Sequence, residues 1–108
     1  MFDELKAALF TVEPEERVRR YTGFKDEDRY IVWAEHFQGS AVHADGRLRH
    51  QALQGSIDYF IKGGDDTAIM RMQNALDEAG IAYSFESVQY EEDTGYVHYE
   101  WNFQVAVK

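Results

Sequence analysis

Residues 96–107 read Tyr-Val-His-Tyr-Glu-Trp-Asn-Phe-Gln-Val-Ala-Val. Val97, Tyr99, Trp101, Phe103, Val105 and Val107 share one parity, while His98, Glu100, Asn102 and Gln104 share the other. A period of two sends alternate side chains to opposite faces of a pleated strand, so this strand lays an aromatic face on a core and leaves a polar face outside. That is the pattern of an antiparallel sheet covered on one side.

The same period appears upstream. Between Gln51 and Lys62, Leu53, Gly55, Ile57, Tyr59 and Ile61 alternate with Gln54, Ser56, Asp58 and Lys62. Tyr30 to Phe37 is dense in aromatic and β-branched residues and reads as another strand, and Ile81, Tyr83 and Phe85 open a further one. Two helical stripes supply the cover. Phe2, Leu5, Leu9 and Val12 recur at steps of three and four, from a start near Asp3 to an end before Pro14. Ile69, Met72, Leu76 and Ala79 form the second stripe, entered after Gly63-Gly64 with Asp65 or Asp66 as cap and closed at Gly80. The order α-β-β-α-β-β predicts an α+β fold: a single antiparallel sheet of about four strands with two helices packed on one face.

Two segments resist a periodic reading. Glu15 to Asp28 mixes charges without a period and is expected to be a connector. Gln38 to His50 carries two glycines and alternating polar residues, and is expected to be a functional loop or a long hairpin tip. Glu91-Glu92-Asp93-Thr94-Gly95 reads as an acidic turn.

Composition narrows the function. The 108 residues suit one domain spanning 1–108, and an apolar share of 44% is enough to build an interior. Twenty acidic residues against eleven basic ones give a formal charge of −9, which repels phosphate backbones and disfavours sequence-specific nucleic-acid binding. The absence of cysteine excludes disulfides, thiolate nucleophiles and cysteine-ligated metals. The N-terminal stretch from Met1 to Lys6 lacks the apolar run of a secretory signal or membrane span, so a soluble, cytoplasmic protein without membrane contact is expected.

No catalytic, cofactor or metal site emerges from the order of residues. His98 and Glu100 lie two apart on one strand face, but two ligands do not make a metal site, and they are expected to be solvated. None of Ser40, Ser56, Ser84 or Ser87 sits on a strand-to-helix elbow. Gly63-Gly64 is followed by two aspartates and no Walker lysine, which fits a turn and not a phosphate cradle. Trp33, Tyr83, Phe85, Tyr99, Trp101 and Phe103 are expected in the core. The chain therefore reads as a non-enzyme without cofactors.

Residues suited to subunit or partner contact remain. Arg17, Arg19 and Arg20 form a basic knot that can meet an acidic neighbour, with Glu91, Glu92 and Asp93 the obvious complement. His43, Arg47 and Arg49 lie in the projecting 38–50 segment. Phe60 shares the polar parity of Asp58 and Lys62, where a large apolar residue hints at a partner.

Several motifs carry a resemblance: Trp33-Ala34-Glu35, Gln54-Gly-Ser-Ile-Asp-Tyr-Phe60, Met72-Gln-Asn-Ala-Leu-Asp-Glu-Ala-Gly-Ile81 and Tyr90-Glu-Glu-Asp-Thr-Gly-Tyr-Val-His-Tyr-Glu-Trp101. Over most of the chain after Tyr30 the sequence resembles small tail proteins of phages and prophages of Gram-positive bacteria, similar to tail-completion or tail-terminator proteins of phages with long non-contractile tails. The resemblance implies an α+β structural protein that assembles with itself as a ring, a hexamer, at the head-proximal end of the tail. It implies the tail-tube protein and the head-tail connector as partners, with the host cytoplasm during assembly and then the virion tail as location. A head-to-tail connector is the alternative within that class, and a non-viral small-ligand-binding α+β module the alternative outside it. Nine net negative charges per copy would repel DNA passing through such a ring.

Overall fold

The computed structural model describes residues 2–23, 27–44 and 47–107, with side chains for all of these except 37–51 and 107. Helix α1 (Asp3–Val12) is followed by one 3-10 turn at Glu15–Arg17 and a short strand β1 (Val18–Arg20). Strands β2 (Arg29–Ala44) and β3 (Arg47–Lys62), helix α2 (Ala68–Glu78) and strands β4 (Ala82–Tyr90) and β5 (Tyr96–Val107) complete the chain. The expected α+β fold is present. The sheet has five strands in the order β1-β2-β3-β5-β4, and all neighbours are antiparallel except β1 with β2.

The fifth strand comes from the connector, where Val18, Arg19 and Arg20 pair in parallel with Ile31, Val32 and Trp33. Three residues are too few to show an alternating pattern, so periodicity passes over them. Of the two readings of 38–50, a functional loop or a long hairpin tip, the second fits: its described residues continue β2 and β3, which stay paired out to Ala44 opposite Arg47.

The core follows the parities. Leu5 and Leu9 of α1 and Met72 and Leu76 of α2 are fully buried against Ile31, Ile57, Tyr59, Trp101 and Phe103 of the sheet. Both helices thus cover one face. Gly55 occupies the core parity of β3 because nothing larger fits: a Cβ there would stand 2.1 Å from the Ala34 carbonyl oxygen and 2.6 Å from the Phe103 ring. Gly80 and Gly95 take positive φ at the end of α2 and in the β4–β5 turn, a backbone region that favours glycine.

One end of this core is closed by charge. Glu13, just past α1, is only 4% exposed. It accepts hydrogen bonds from Arg29 Nε at 2.6 Å and from the Tyr59 hydroxyl. Arg29 Nη2 reaches Tyr59 Oη at 2.7 Å and Asp65 Oδ2 at 3.2 Å. Arg71 of α2 approaches the same Asp65 oxygen at 3.4 Å and donates to the Val12 carbonyl at 2.9 Å, so it satisfies a free carbonyl at the end of α1. Asp65 does not cap α2 through the first helical amides; its Oδ1 accepts from the Thr67 amide and hydroxyl just before the helix. Those bonds, with Arg29 behind them, hold its carboxyl down at about 2.

Candidate functional site

The face of the sheet turned away from the helices carries an aromatic and charged cluster. Cross-strand pairing sets Phe60 opposite both Tyr30 and His98, and Asp58 opposite Glu100. Phe60 is consequently sandwiched, its centroid 4.8 Å from the Tyr30 ring and 4.2 Å from the His98 ring. Tyr96 meets Tyr30 and Phe60 edge-on. The exposed apolar residue expected from parity is instead half-buried among its own chain's rings.

His98 is held from both nitrogens. Nε2 lies 2.6 Å from Asp58 Oδ1, and Nδ1 lies 3.7 Å from Glu91 Oε2 in the β4–β5 turn. The ring is half-buried, not solvated as its strand position suggested. The Asp58 hydrogen bond pushes its pKa up against the opposing effect of burial, with the charges of Asp58, Glu91 and Glu100 adding to the rise. Asp58, His98 and Glu100 each offer a donor atom within 4.8 Å of the others, so the third residue a metal site needs comes from a neighbouring strand. In the arrangement present, His98 Nε2 is taken up by Asp58, and a cation at these three residues would have to displace that hydrogen bond.

A group whose folded pKa is raised stabilises the fold fully below its unfolded value, about 6.5 for histidine, and ceases to do so as pH rises through the folded value. Thermal unfolding followed upward from pH 6.5 is therefore expected to show a falling midpoint in the wild-type chain that is absent from His98→Gln. Parallel curves for the two proteins would refute a stabilising His98–Asp58 pair.

The other singled-out residues fall into separate places. Arg17 pairs with Glu13 at 3.7 Å and Glu27 at 3.3 Å. Arg20 forms a two-bond pair with Glu35, whose carboxyl it holds at about 2, and stacks over Trp33 at 4.8 Å. Arg17 and Arg20 thus spend their charge within the chain, and Arg19 lies between them in sequence, exposed on β1. Glu92 and Asp93 are exposed in the turn. His43, Arg47 and Arg49 lie on the far stretches of β2 and β3, and their side chains are outside the described residues.

Trp33, Tyr99, Trp101 and Phe103 are core, as expected, whereas Phe85 is 40% exposed. Ser56 Oγ lies 3.2 Å from His36 Nε2 on the open strand surface, away from any strand-to-helix elbow. Open grooves, such as one of about 380 Å³ between α1 and β1 lined by Phe10, Arg20 and Trp33, mark the described surface.

The sheet is uneven at its margins. Strand β5 accompanies β3 only as far as Gln51, opposite Val107, and β1 accompanies β2 only as far as Trp33. From Val42 to Ala44 and from Arg47 to His50, β2 and β3 pair with each other and with no other described strand, a short two-stranded arm in a chain 52 Å long and 26 by 21 Å across. No protein-family model matches the sequence, and no curated protein matches it at a significant level.

Proposed function

We propose that this chain is a structural, non-catalytic tail protein that assembles as a ring at the head-proximal end of a phage tail. The observation that carries the reading is the short arm at the end of β2 and β3, where Val42 to Ala44 and Arg47 to His50 pair only with each other among the described strands. A two-stranded hairpin is marginally stable in water by itself, and a third strand or a packed surface is needed to hold it. An arm that lacks a third strand suits a contact with a neighbouring copy. The sequence resemblance to tail-completion and terminator proteins points the same way, and a charge of −9 per copy suits a bore through which DNA must slide.

Light scattering over a concentration and salt series tests it. The oligomer is expected to grow as salt rises, because screening at 0.15 M limits the repulsion between copies to about 8 Å. Replacing 38–50 with a short Gly-Ser linker is expected to leave a monomer. A strict monomer in all conditions, with no binding to added tail tubes, would overturn the reading. In phage lacking the protein, tails of uncontrolled length support termination, and normal tails that fail to join heads reassign the ring to the connector.

A further inference from the structure

Strand β4, nine residues long, ends the sheet and has no neighbour on its outer side among the described strands. Its register with β5 puts Phe85, Val88 and Tyr90 on the same face as Trp101, Tyr99 and Val97, the face covered by the helices. The cover stops short of β4: Phe85 is 40%, Val88 50% and Tyr90 63% exposed. Met70, one helical turn before the Gln73 that bonds Trp101, is 60% exposed as well. An apolar row on an unpaired edge without lysine or proline is a template for another strand. The opposite margin offers such a strand, since β2 has no described neighbour on its outer side from Ala34 to Ala44.

We infer that β4 of one copy pairs with the outer edge of the β2 arm of the next, joining the sheets head to tail. The inference rests on the ring reading and names its interface. Charge selects this partner over a second β4. Residues 82–95 contain Glu86, Glu91, Glu92 and Asp93 and no basic residue, so β4 against β4 sets acid beside acid. The β2 edge from Ala34 to Ala44 carries one acid, Glu35, which is already paired with Arg20, and Arg47 and Arg49 follow on β3. One contact then supplies the third strand that the arm lacks and covers the apolar row of β4. Because the two edges lie on opposite sides of the sheet, the contact is heterologous and repeats from copy to copy, which closes a ring when the rotation permits.

A cysteine scan tests the pairing cleanly, because the chain has no cysteine of its own. Val88→Cys is combined in turn with single cysteines at positions 35 to 42. Within one chain β2 and β4 are three strand spacings apart, roughly 14 Å, beyond the reach of about 7 Å for a disulfide. Oxidation is expected to link different copies into a ladder ending at the ring, at the positions of one register. Val88→Lys, at an exposed edge position, is expected to keep the fold by circular dichroism and to shift the mass to the 12.6 kDa monomer. A ring that persists in Val88→Lys and cross-links at no scanned position overturns the interface and leaves the ring reading intact. A wild-type chain that never oligomerises overturns both.

Discussion

Trp101→Ala is expected to lower stability by about 3 to 5 kcal/mol, a large part of the roughly 5 to 15 kcal/mol that holds a domain together. Trp101 is fully buried at the centre of β5, with β3 on one side and β4 on the other. Its ring lies 6.4 Å from Tyr99 and 5.5 Å from Phe85, and its indole nitrogen donates to Gln73 Oε1 of α2 at 3.1 Å. Truncation removes the ring contacts, leaves a cavity that the paired strands cannot collapse to fill, and strands the Gln73 oxygen. Denaturant unfolding should show a lower midpoint with an unchanged slope. A loss under about 1 kcal/mol would mean that the sheet can repack around the void.

Trp101 also shows why so much of the fold was legible. Where a strand is covered on one side only, burial writes itself into the sequence at period two, and the parities of β3 and β5 predicted Ile57, Tyr59, Ile61, Tyr99 and Phe103 as core. The helical stripes gave Leu5, Leu9, Met72 and Leu76 in the same way. The signal is weaker in 38–50, where polar residues and two glycines leave a loop and a hairpin tip equally open. Asp45-Gly46 is the cue that favours the hairpin, since that dipeptide between strand-like segments is a strong hairpin signal. Strand β1 was missed for want of length.

The outer-face cluster was half legible. His98 and Glu100 share a strand and could be read together, but Asp58 joins them through the β3–β5 register, which no local pattern encodes. Phe60 was singled out for the right reason, an apolar ring on a polar parity, yet its partners are Tyr30 and His98 of its own chain. Parity reports which face a side chain takes and is silent on what else stands on that face.

The buried lock around Glu13 lay beyond the sequence for a further reason: Glu13, Arg29, Tyr59, Asp65 and Arg71 come from five separate segments. Its removal yields the second large effect. Glu13→Ala is expected to cost about 3 to 4 kcal/mol, since breaking a buried ion pair from one side leaves a charge with its desolvation uncompensated. Arg29 would keep Tyr59 and Asp65, which holds the loss below the top of the usual range. Simultaneous Glu13→Leu and Arg29→Met should cost clearly less than the two single changes together, because no unpaired charge then remains. Denaturant unfolding of the four proteins gives the coupling directly. Additive losses would mean that water reaches Arg29 once Glu13 is gone, and that α1 is held to the sheet by Leu5, Leu9 and Val12 alone.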